Sequence, residues 1–452
     1  MIKHVSIIGG GFSGTLQAIN LLRHDGPVAT LIERNARVGE GLAYGAAHPA
    51  HVLNVRASNM SAFPDDPDHF SRWLNSRGID NPGNIFVPRV EYGHYLRELL
   101  DDAVRKATGR IRIVQGDVID AVARADGGSR LTLANGESID SDAVVLAVGN
   151  LPPHDPPGLN PELMSASRYK SDPWAPGVAT GLGVDDQVVV IGTGLTMVDV
   201  ALLLDESGFE GRILALSRRG LLPRAHAPLT LSWKKLAARP ETRASALVRA
   251  LRNRSVDIGW RNAVDELRPF TQSMWANASK GERERFLRHL RPWWDVHRHR
   301  LAPVVADRLA RMQSEGRLRV LAGKTIAFMQ YPDGIEINWR PRGATVKQTM
   351  RVARVVNCTG PQGDLGRTTD PLLARLRSRG LIRPDAANLG IDVDSYAQTI
   401  GQDGTVNDWL FALGPMTRGA FWEIVAVPDI RVQTWTLARR LSNAQWVGGE
   451  GL

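Results

Sequence analysis

The chain has 452 residues, with 56 Lys and Arg against 47 Asp and Glu, a formal charge of +9 and a single cysteine. That length holds about three domains, and a composition 43% hydrophobic and 23% charged is that of an ordinary globular protein. One Cys excludes a disulfide scaffold, CxxC redox chemistry and a Cys-rich zinc site; no apolar run approaches the ~20 residues of a membrane span, and no room is left for a signal peptide, so a cytoplasmic protein is expected.

Residues 4–8 form a short apolar strand that runs into Gly9-Gly10-Gly11-Phe12-Ser13-Gly14. A helical pattern follows (Leu16, Ala18, Ile19, Leu21, Leu22), then a turn at Asp25-Gly26-Pro27 and a strand over 28–32 that ends in Glu33. This is the full nucleotide-binding βαβ pattern. Gly9 permits the tight turn, Gly11 lets the backbone approach a pyrophosphate at the helix N-terminus, and Gly14 lets helix and strand pack closely. Glu33 suits a ribose diol and repels a 2′-phosphate, which favours FAD or NAD over NADP at this site.

Strands are expected over 111–118 and 131–134, a hairpin turn at Asn135-Gly136, and a buried strand over 142–149 ending in Gly149. Residues 187–191 begin a second strand–turn–helix unit through Gly192-Thr193-Gly194-Leu195-Thr196-Met197. Its next strand ends in Ser217-Arg218-Arg219-Gly220, so hydroxyl and guanidinium groups replace the acid of the first site. Arg218 or Arg219 can pair with a phosphate, which points to NADPH, with ordinary surface charge as the alternative. Met197 in place of the third Gly is expected to loosen the helix–strand approach.

Residues 231–320 carry twenty basic and nine acidic side chains, an excess larger than that of the whole chain, together with Trp233, Trp260, Trp275, Trp293 and Trp294. The stretch reads as helical, with a break at Pro292. Three readings stay open: solvated Arg faces over a Trp-bearing core, a substrate cap whose field attracts anions, and a nucleic-acid surface, which no motif accompanies. Residues 317–361 repeat the earlier punctuation, with a turn at Asp333-Gly334 and a strand over 353–360 that contains Cys358. His226, just after the second nucleotide strand, is either an acid/base or an ordinary loop histidine. His297 and His299 are spaced poorly for a shared metal.

This layout resembles the two-dinucleotide-domain flavoproteins of the glutathione-reductase-like superfamily. Within it the chain is similar to bacterial FAD/NAD(P)-binding proteins with stretches like Gly41-Leu42-Ala43-Tyr44-Gly45, His51-Val52-Leu53-Asn54-Val55, Met60 to Pro67, Pro88-Arg89 to Tyr95 and Leu413 to Gly419. Their better-understood neighbours are class B flavin monooxygenases, and one lookalike activity is hydroxylation of urate. The resemblance implies an α/β fold with two Rossmann-like domains and β-meanders, the NADP domain inserted in the FAD domain. The expected bounds are 1–155 and 359–452 for the FAD domain, 156–225 and 313–358 for the NADPH domain, and 226–312 for a helical basic insertion.

The resemblance also implies site residues. FAD is expected on Gly9, Gly11, Phe12, Ser13, Gly14, Glu33, Arg34, Val118 and Gly149. Asn54, Met60 and Ser61 are expected to line the flavin, with Arg89 on FAD oxygens. Gly414 stands before the position of the usual ribityl-binding acid, which is Pro415 here. NADPH is expected on Gly192, Gly194, Thr196, Ser217, Arg218 and Arg219. Pro428 and Asp429 suit the first turn of a last helix aimed at the flavin. Trp422 and Glu423 lie just before it; with His226 they are the candidate catalytic residues, Glu423 having a structural ion pair as its alternative role.

Two departures bear on function. No redox Cys pair accompanies the first helix, so a disulfide reductase is not expected. The F-x-G-x-x-x-H signature of N-hydroxylating and Baeyer–Villiger enzymes is replaced by residues 163–170, Leu-Met-Ser-Ala-Ser-Arg-Tyr-Lys. The leading expectation is an FAD-dependent, NADPH-consuming monooxygenase. It would transfer one oxygen atom of O2, through a flavin C4a-hydroperoxide, to a small anionic substrate such as a urate-like purine or an amino acid. The alternatives are a flavin reductase or dehydrogenase without oxygen insertion, and a nucleotide-sensing or RNA-binding protein with structural FAD.

Overall fold

The computed structural model describes residues 2–227 and 236–442, so Trp233, Lys234 and Lys235 of the basic stretch lie outside the described residues. The chain divides into two compact units, one of residues 1–47, 56–151 and 363–452, the other of residues 48–55 and 152–362.

The first unit opens with β1 (His4–Ile8), α1 (Phe12–Arg23) and β2 (Val28–Glu33), as the apolar runs require. The short helix α2 (Gly41–Gly45) follows, then α3 (His69–Ser76) and α4 (Arg89–Lys106). Strands β3 (Ile111–Gln115), β4 (Val118–Ala123), β5 (Ser129–Leu133), β6 (Ser138–Ser141) and β7 (Ala143–Leu146) complete this part. The stretch expected as one strand over 111–118 is thus two. β3 joins the parallel sheet beside β2, while β4 starts an antiparallel three-stranded sheet with β5 and β6. The break falls at Gly116-Asp117, where a side chain on Gly116 would meet Leu133 at 2.5 Å. β7 is also shorter than the 142–149 expected, because its sheet pairing ends at Leu146.

In the second unit β8 (Tyr169–Lys170), β9 (Gln187–Ile191), α5 (Leu195–Glu206) and β10 (Arg212–Ser217) precede the helical insertion. The insertion contains α6 (Ala244–Ile258), α7 (Trp260–Asp265), α8 (Thr271–Asn277), α9 (Lys280–Arg285) and α10 (Arg291–Arg298). α11 (Pro303–Ser314) then leads back into the sheet through β11 (Leu318–Tyr331), β12 (Gly334–Pro341), β13 (Gln348–Val352) and β14 (Arg354–Asn357). Strand β11 runs parallel to β10 over its first residues and then antiparallel to β12, so one continuous strand belongs to both Rossmann sheet and meander. The strand expected over 353–360 is only β14, and Cys358 lies just past its end, buried.

Pro292 does not break the insertion as expected. Residues 286–290 widen into a π-helical turn, and α10 continues from it with Pro292 in its first turn. A proline has no N–H to give the preceding turn, and a π-bulge absorbs that loss without ending the helix.

The first unit closes with α12 (Pro371–Ser378), β15 (Gln398–Ile400), β16 (Val406–Ala412) and α13 (Val427–Leu441). Its main sheet has the order β15-β16-β7-β1-β2-β3, so β1 is flanked on both sides and its apolar residues are buried. One core lies between this sheet, the meander and α12, with Ile8, Ile32, Leu131, Leu133, Val144, Leu373 and Leu410 among its members. Among the described residues no helix is long and apolar enough to cross a membrane.

Candidate functional site

The first Gly-rich turn links β1 to α1. Gly9 has φ +104°, and a Cβ there would lie 2.4 Å from the Ala147 carbonyl oxygen. A Cβ on Gly14 would lie 1.9 Å from the Gly9 carbonyl oxygen, so α1 sits on the strand exit at a distance only glycine permits. Gly11 is the N-cap residue and no side chain caps the helix, which leaves its first-turn N–H groups to an anion. Glu33 is buried; its carboxylate accepts from Gly10 N–H at 2.7 Å, from Asn35 N–H at 2.9 Å and from Asn35 Nδ2 at 2.8 Å. A carboxylate offers about four acceptor positions, so one remains for a ribose hydroxyl. These residues fit an adenine dinucleotide with a free ribose diol.

Other expected residues of this unit fall in different settings. Ser13 is buried in the first turn of α1, where its Oγ would lie 2.5 Å from a Cβ on Gly414. Gly414 has φ +73°, and its N–H donates to Gln433 Oε1 at 2.8 Å. Ser61 Oγ is spent inside its own loop, donating to Asp66 O at 2.6 Å, and the neighbouring Met60 is buried. Arg89 opens α4, near enough to the Tyr44 phenol for its charge to oppose the upward pull of burial on that group. Arg34 pairs with Asp370 at 2.9 Å and Asp117 at 3.4 Å, and the Val118 side chain is in the hydrophobic core. Gly149 holds a left-handed φ of +68° just past β7. Trp422 and Glu423 are both buried, and Glu423 holds φ +70°, a strained conformation for a non-glycine residue. α13 starts as expected, with Pro428 and Asp429 in its first turn and no side-chain cap.

In the second turn Gly192 has φ +119°, and a Cβ on it would lie 2.0 Å from the Cys358 carbonyl oxygen. Among the described residues nothing lies within 4 Å of a Cβ built on Gly194, the uncapped N-cap of α5, and Thr196 is half-buried in the first helical turn. Met197 is fully buried. Ser217 Oγ is engaged by Thr193 Oγ1 at 2.9 Å and accepts from Gly220 N–H at 3.0 Å, which shapes the loop after β10. Arg218 is exposed. Arg219 is not free as expected: it donates to the carbonyls of His289 at 3.3 Å and Arg288 at 3.2 Å, in the π-helical turn. Pro292 has no N–H to give the Arg288 carbonyl four residues before it, and the Arg219 guanidinium supplies N–H groups to that carbonyl and to its neighbour at His289. Of the two adjacent arginines, Arg218 is thus exposed and Arg219 is engaged by these carbonyls.

His226 is likewise held. Its Nε2–H donates to the Asn54 carbonyl at 3.0 Å, so that nitrogen is no free base, and Asn54 itself lies in the 48–55 stretch that groups with the second unit. His51, also in that stretch, is buried and donates Nε2–H to Asp199 O at 3.0 Å while Nδ1 accepts from His48 N–H. Sequence reasoning missed this histidine strap. It also missed a polar seam along α1: Ser13, Gln17, Asn20 and His24 recur at helical spacing, and Asn20 Nδ2 bonds Thr434 Oγ1 of α13 at 3.3 Å. The i, i+4, i+7, i+11 pattern was there to be found beneath the apolar residues.

Residues 6–151 match the FAD-NAD(P)-binding family. The comparison with curated proteins returns no match. Among solved structures, the chain is similar to the ornithine N-hydroxylase of Kutzneria sp. 744, at 15% identity and a TM-score of 0.67, covering 98% of this chain and 99% of that one. The L-lysine 6-monooxygenase of Pseudomonas syringae shares 18% identity at a TM-score of 0.66, over 98% and 100%. The FAD-bound cadaverine monooxygenase of Erwinia amylovora shares 13% identity at a TM-score of 0.68, over 98% and 95%. Residues 6–151 thus match an FAD/NAD(P)-binding family, and the whole chain shares the fold of these solved structures.

Proposed function

We propose that the protein is an FAD-dependent, NADPH-consuming monooxygenase acting on a small amino acid. The observation that carries this is the contrast between the two strand ends: a buried carboxylate with one acceptor position left at Glu33, and an exposed guanidinium at Arg218. The first selects a dinucleotide with a free ribose diol, and the second a nucleotide bearing a 2′-phosphate. Bound FAD would supply two-electron and oxygen chemistry. The chain's own part is to hold the pyrophosphate on α1, to fix the 414–417 turn through Gln433, and to present the uncapped end of α13 to developing negative charge. Neighbours that hydroxylate ornithine and lysine support an amino acid over a urate-like purine, and the basic insertion suits the carboxylate end of such a substrate. Trp422 and Glu423 are the candidates beside the flavin, whereas His226 serves as a positioning residue through Asn54.

The alternative is a reductase that inserts no oxygen. It is favoured by the missing F-x-G-x-x-x-H signature, whose region here forms β8 and ties Tyr169 Oη to Asp155 at 2.5 Å. The deciding experiment counts NADPH oxidised, oxygenated product and hydrogen peroxide over a panel of amino acids. Product formed in step with NADPH supports the monooxygenase. Peroxide as the sole product with every substrate, together with rapid turnover of organic electron acceptors, establishes the reductase.

A further inference from the structure

The first unit contains an aromatic chain that packing alone does not explain. It begins at the dinucleotide-binding turn, where Phe12 meets Tyr44 at a centroid distance of 6.3 Å and Tyr92 at 6.1 Å. Tyr44 and Tyr92 are 4.8 Å apart, Tyr92 and Tyr95 5.5 Å, and Tyr95 and Trp73 5.4 Å. Tyr92 and Tyr95 are fully buried, and Trp73 is half-exposed. Phenylalanine would fill the same space at Tyr92, yet the buried Tyr92 hydroxyl has no hydrogen-bond partner among the described residues. Leaving a hydroxyl so costs roughly 1–3 kcal/mol, and a local rule broken without a packing gain marks function more often than accident.

The outer end of the chain carries proton acceptors. Tyr95 Oη accepts from Ala62 N–H at 3.3 Å, which turns its own proton toward His69 Nδ1 at 2.9 Å. Burial lowers the pKa of His69, so its ring is a neutral acceptor. Trp73 Nε1–H donates to the Glu98 carboxylate at 2.7 Å.

We propose that Tyr44, Tyr92, Tyr95 and Trp73 form a relay that carries a one-electron oxidising equivalent from the dinucleotide-binding turn to the surface. It would drain the strong oxidants that oxygen chemistry generates, and this role rests on the flavoenzyme reading above. An oxidant at the turn takes one electron from the Tyr44–Tyr92 pair. Among the described residues neither phenol has a proton acceptor comparable to His69, so the hole moves on. At Tyr95 the electron leaves inward and the O–H proton passes to His69 Nδ1, giving a neutral tyrosyl radical. Trp73 then returns an electron to Tyr95, the proton goes back from His69 to the Tyr95 oxygen, and the indole N–H proton passes to Glu98. A one-electron reductant of the thiol or ascorbate class then gives an electron to Trp73, the proton returns from Glu98 to the indole nitrogen, and the oxidised reductant releases its own proton to solvent.

The test has two arms on the intact protein. In the first, flavin-loaded protein without oxygen is given a short light pulse, the excited flavin acting as oxidant, and radicals are followed by transient absorbance. A tryptophan radical is expected that disappears in Trp73→Phe, leaving a tyrosyl radical, and that falls to background in Tyr95→Phe at equal flavin content. In the second arm, flavin-free protein is oxidised by azide radicals, which attack exposed tryptophan. A minor tyrosyl share in equilibrium with the dominant Trp73 radical, populated by the reverse of the outward step, is expected and is lost in both Trp73→Phe and Tyr95→Phe. Radical yields unchanged by both substitutions in either arm overturn the relay. Failure to bind flavin removes the proposed function instead, and the second arm still decides the relay. Because Phe retains the ring at both positions, thermal melting of each variant separates loss of transfer from loss of fold.

Discussion

The two Gly-rich turns have nearly the same backbone and different anchoring. Their N-cap residues share one conformation, φ −77° and ψ −167° at Gly11, φ −85° and ψ −165° at Gly194. Both begin with a positive-φ glycine pressed against the carbonyl of a neighbouring strand exit, Ala147 in one and Cys358 in the other. They part at the third motif position. Gly14 brings α1 against the Gly9 carbonyl, whereas Met197 turns the equivalent place on α5 into a buried apolar contact. The first glycine is thus required by the strand crossing, while the third only sets how helix and strand meet.

The strongest way to break this comparison is to exchange the two solutions. Gly14→Ala places a methyl 1.9 Å from a backbone oxygen that cannot rotate away. A loss of about 3 kcal/mol is expected, at the upper end for overpacking, with flavin content falling in parallel; denaturant melts and flavin absorbance check both. Met197→Ala should cost a comparable ~2–5 kcal/mol, because it empties a fully buried site. In that variant flavin content should be spared, since Met197 lies in the second unit. Equal flavin loss in both variants would show that the two turns do not act separately.

The next contrast is between adjacent arginines. Arg218→Ala should abolish the preference for NADPH over NADH, by the roughly 1.5–3 kcal/mol of a charge-assisted hydrogen bond. Arg219→Ala should keep that preference and instead raise amide exchange in residues 286–298, where it holds the carbonyls of Arg288 and His289. Preference lost in Arg219→Ala and kept in Arg218→Ala would reverse the assignment. A third substitution, Gly194→Ala, adds a methyl in open space at an ordinary φ. Stability should change by less than about 0.5 kcal/mol, while NADP+ binding, read by calorimetry, should weaken because the methyl occupies the path of the pyrophosphate.

The sequence made both turns legible because each depends on local geometry: a strand, a glycine at positive φ and an uncapped helix within a few residues. The meander turns at Asn135-Gly136 and Asp333-Gly334 were legible for the same reason. What stayed hidden was set by partners distant in the chain. Nothing near Arg219 announces that residues 288 and 289 will claim it, and nothing near His226 announces Asn54. The split of 111–118 into two strands depends on where β5 crosses, through Leu133 against Gly116, which periodicity does not encode. The aromatic residues of α3 and α4 read as ordinary core, because only their distances to Tyr44 and Phe12 join them into a chain.

The smallest expected effect separates the units by acidity. In the first unit His24 and His69 both have pKa values pushed below 6.5, chiefly by burial. The charges of Arg23 and Arg439 push His24 further down, and Arg72 and Arg23 do the same to His69, with Asp65 opposing at His24 and Asp66 at His69. When the folded pKa is depressed, the unfolded chain binds protons first as pH falls, so stability is full above pH 6.5 and declines below it until the folded rings also protonate. Melting followed through flavin release should therefore shift to lower temperature between neutral pH and pH 5. The double substitution His24→Asn and His69→Gln should flatten that slope. A slope unchanged in the double variant would place the acid sensitivity in other groups, with Asp385 unable to supply it. Burial raises the Asp385 pKa, so its contribution to stability grows, not shrinks, as pH falls toward the carboxylate range.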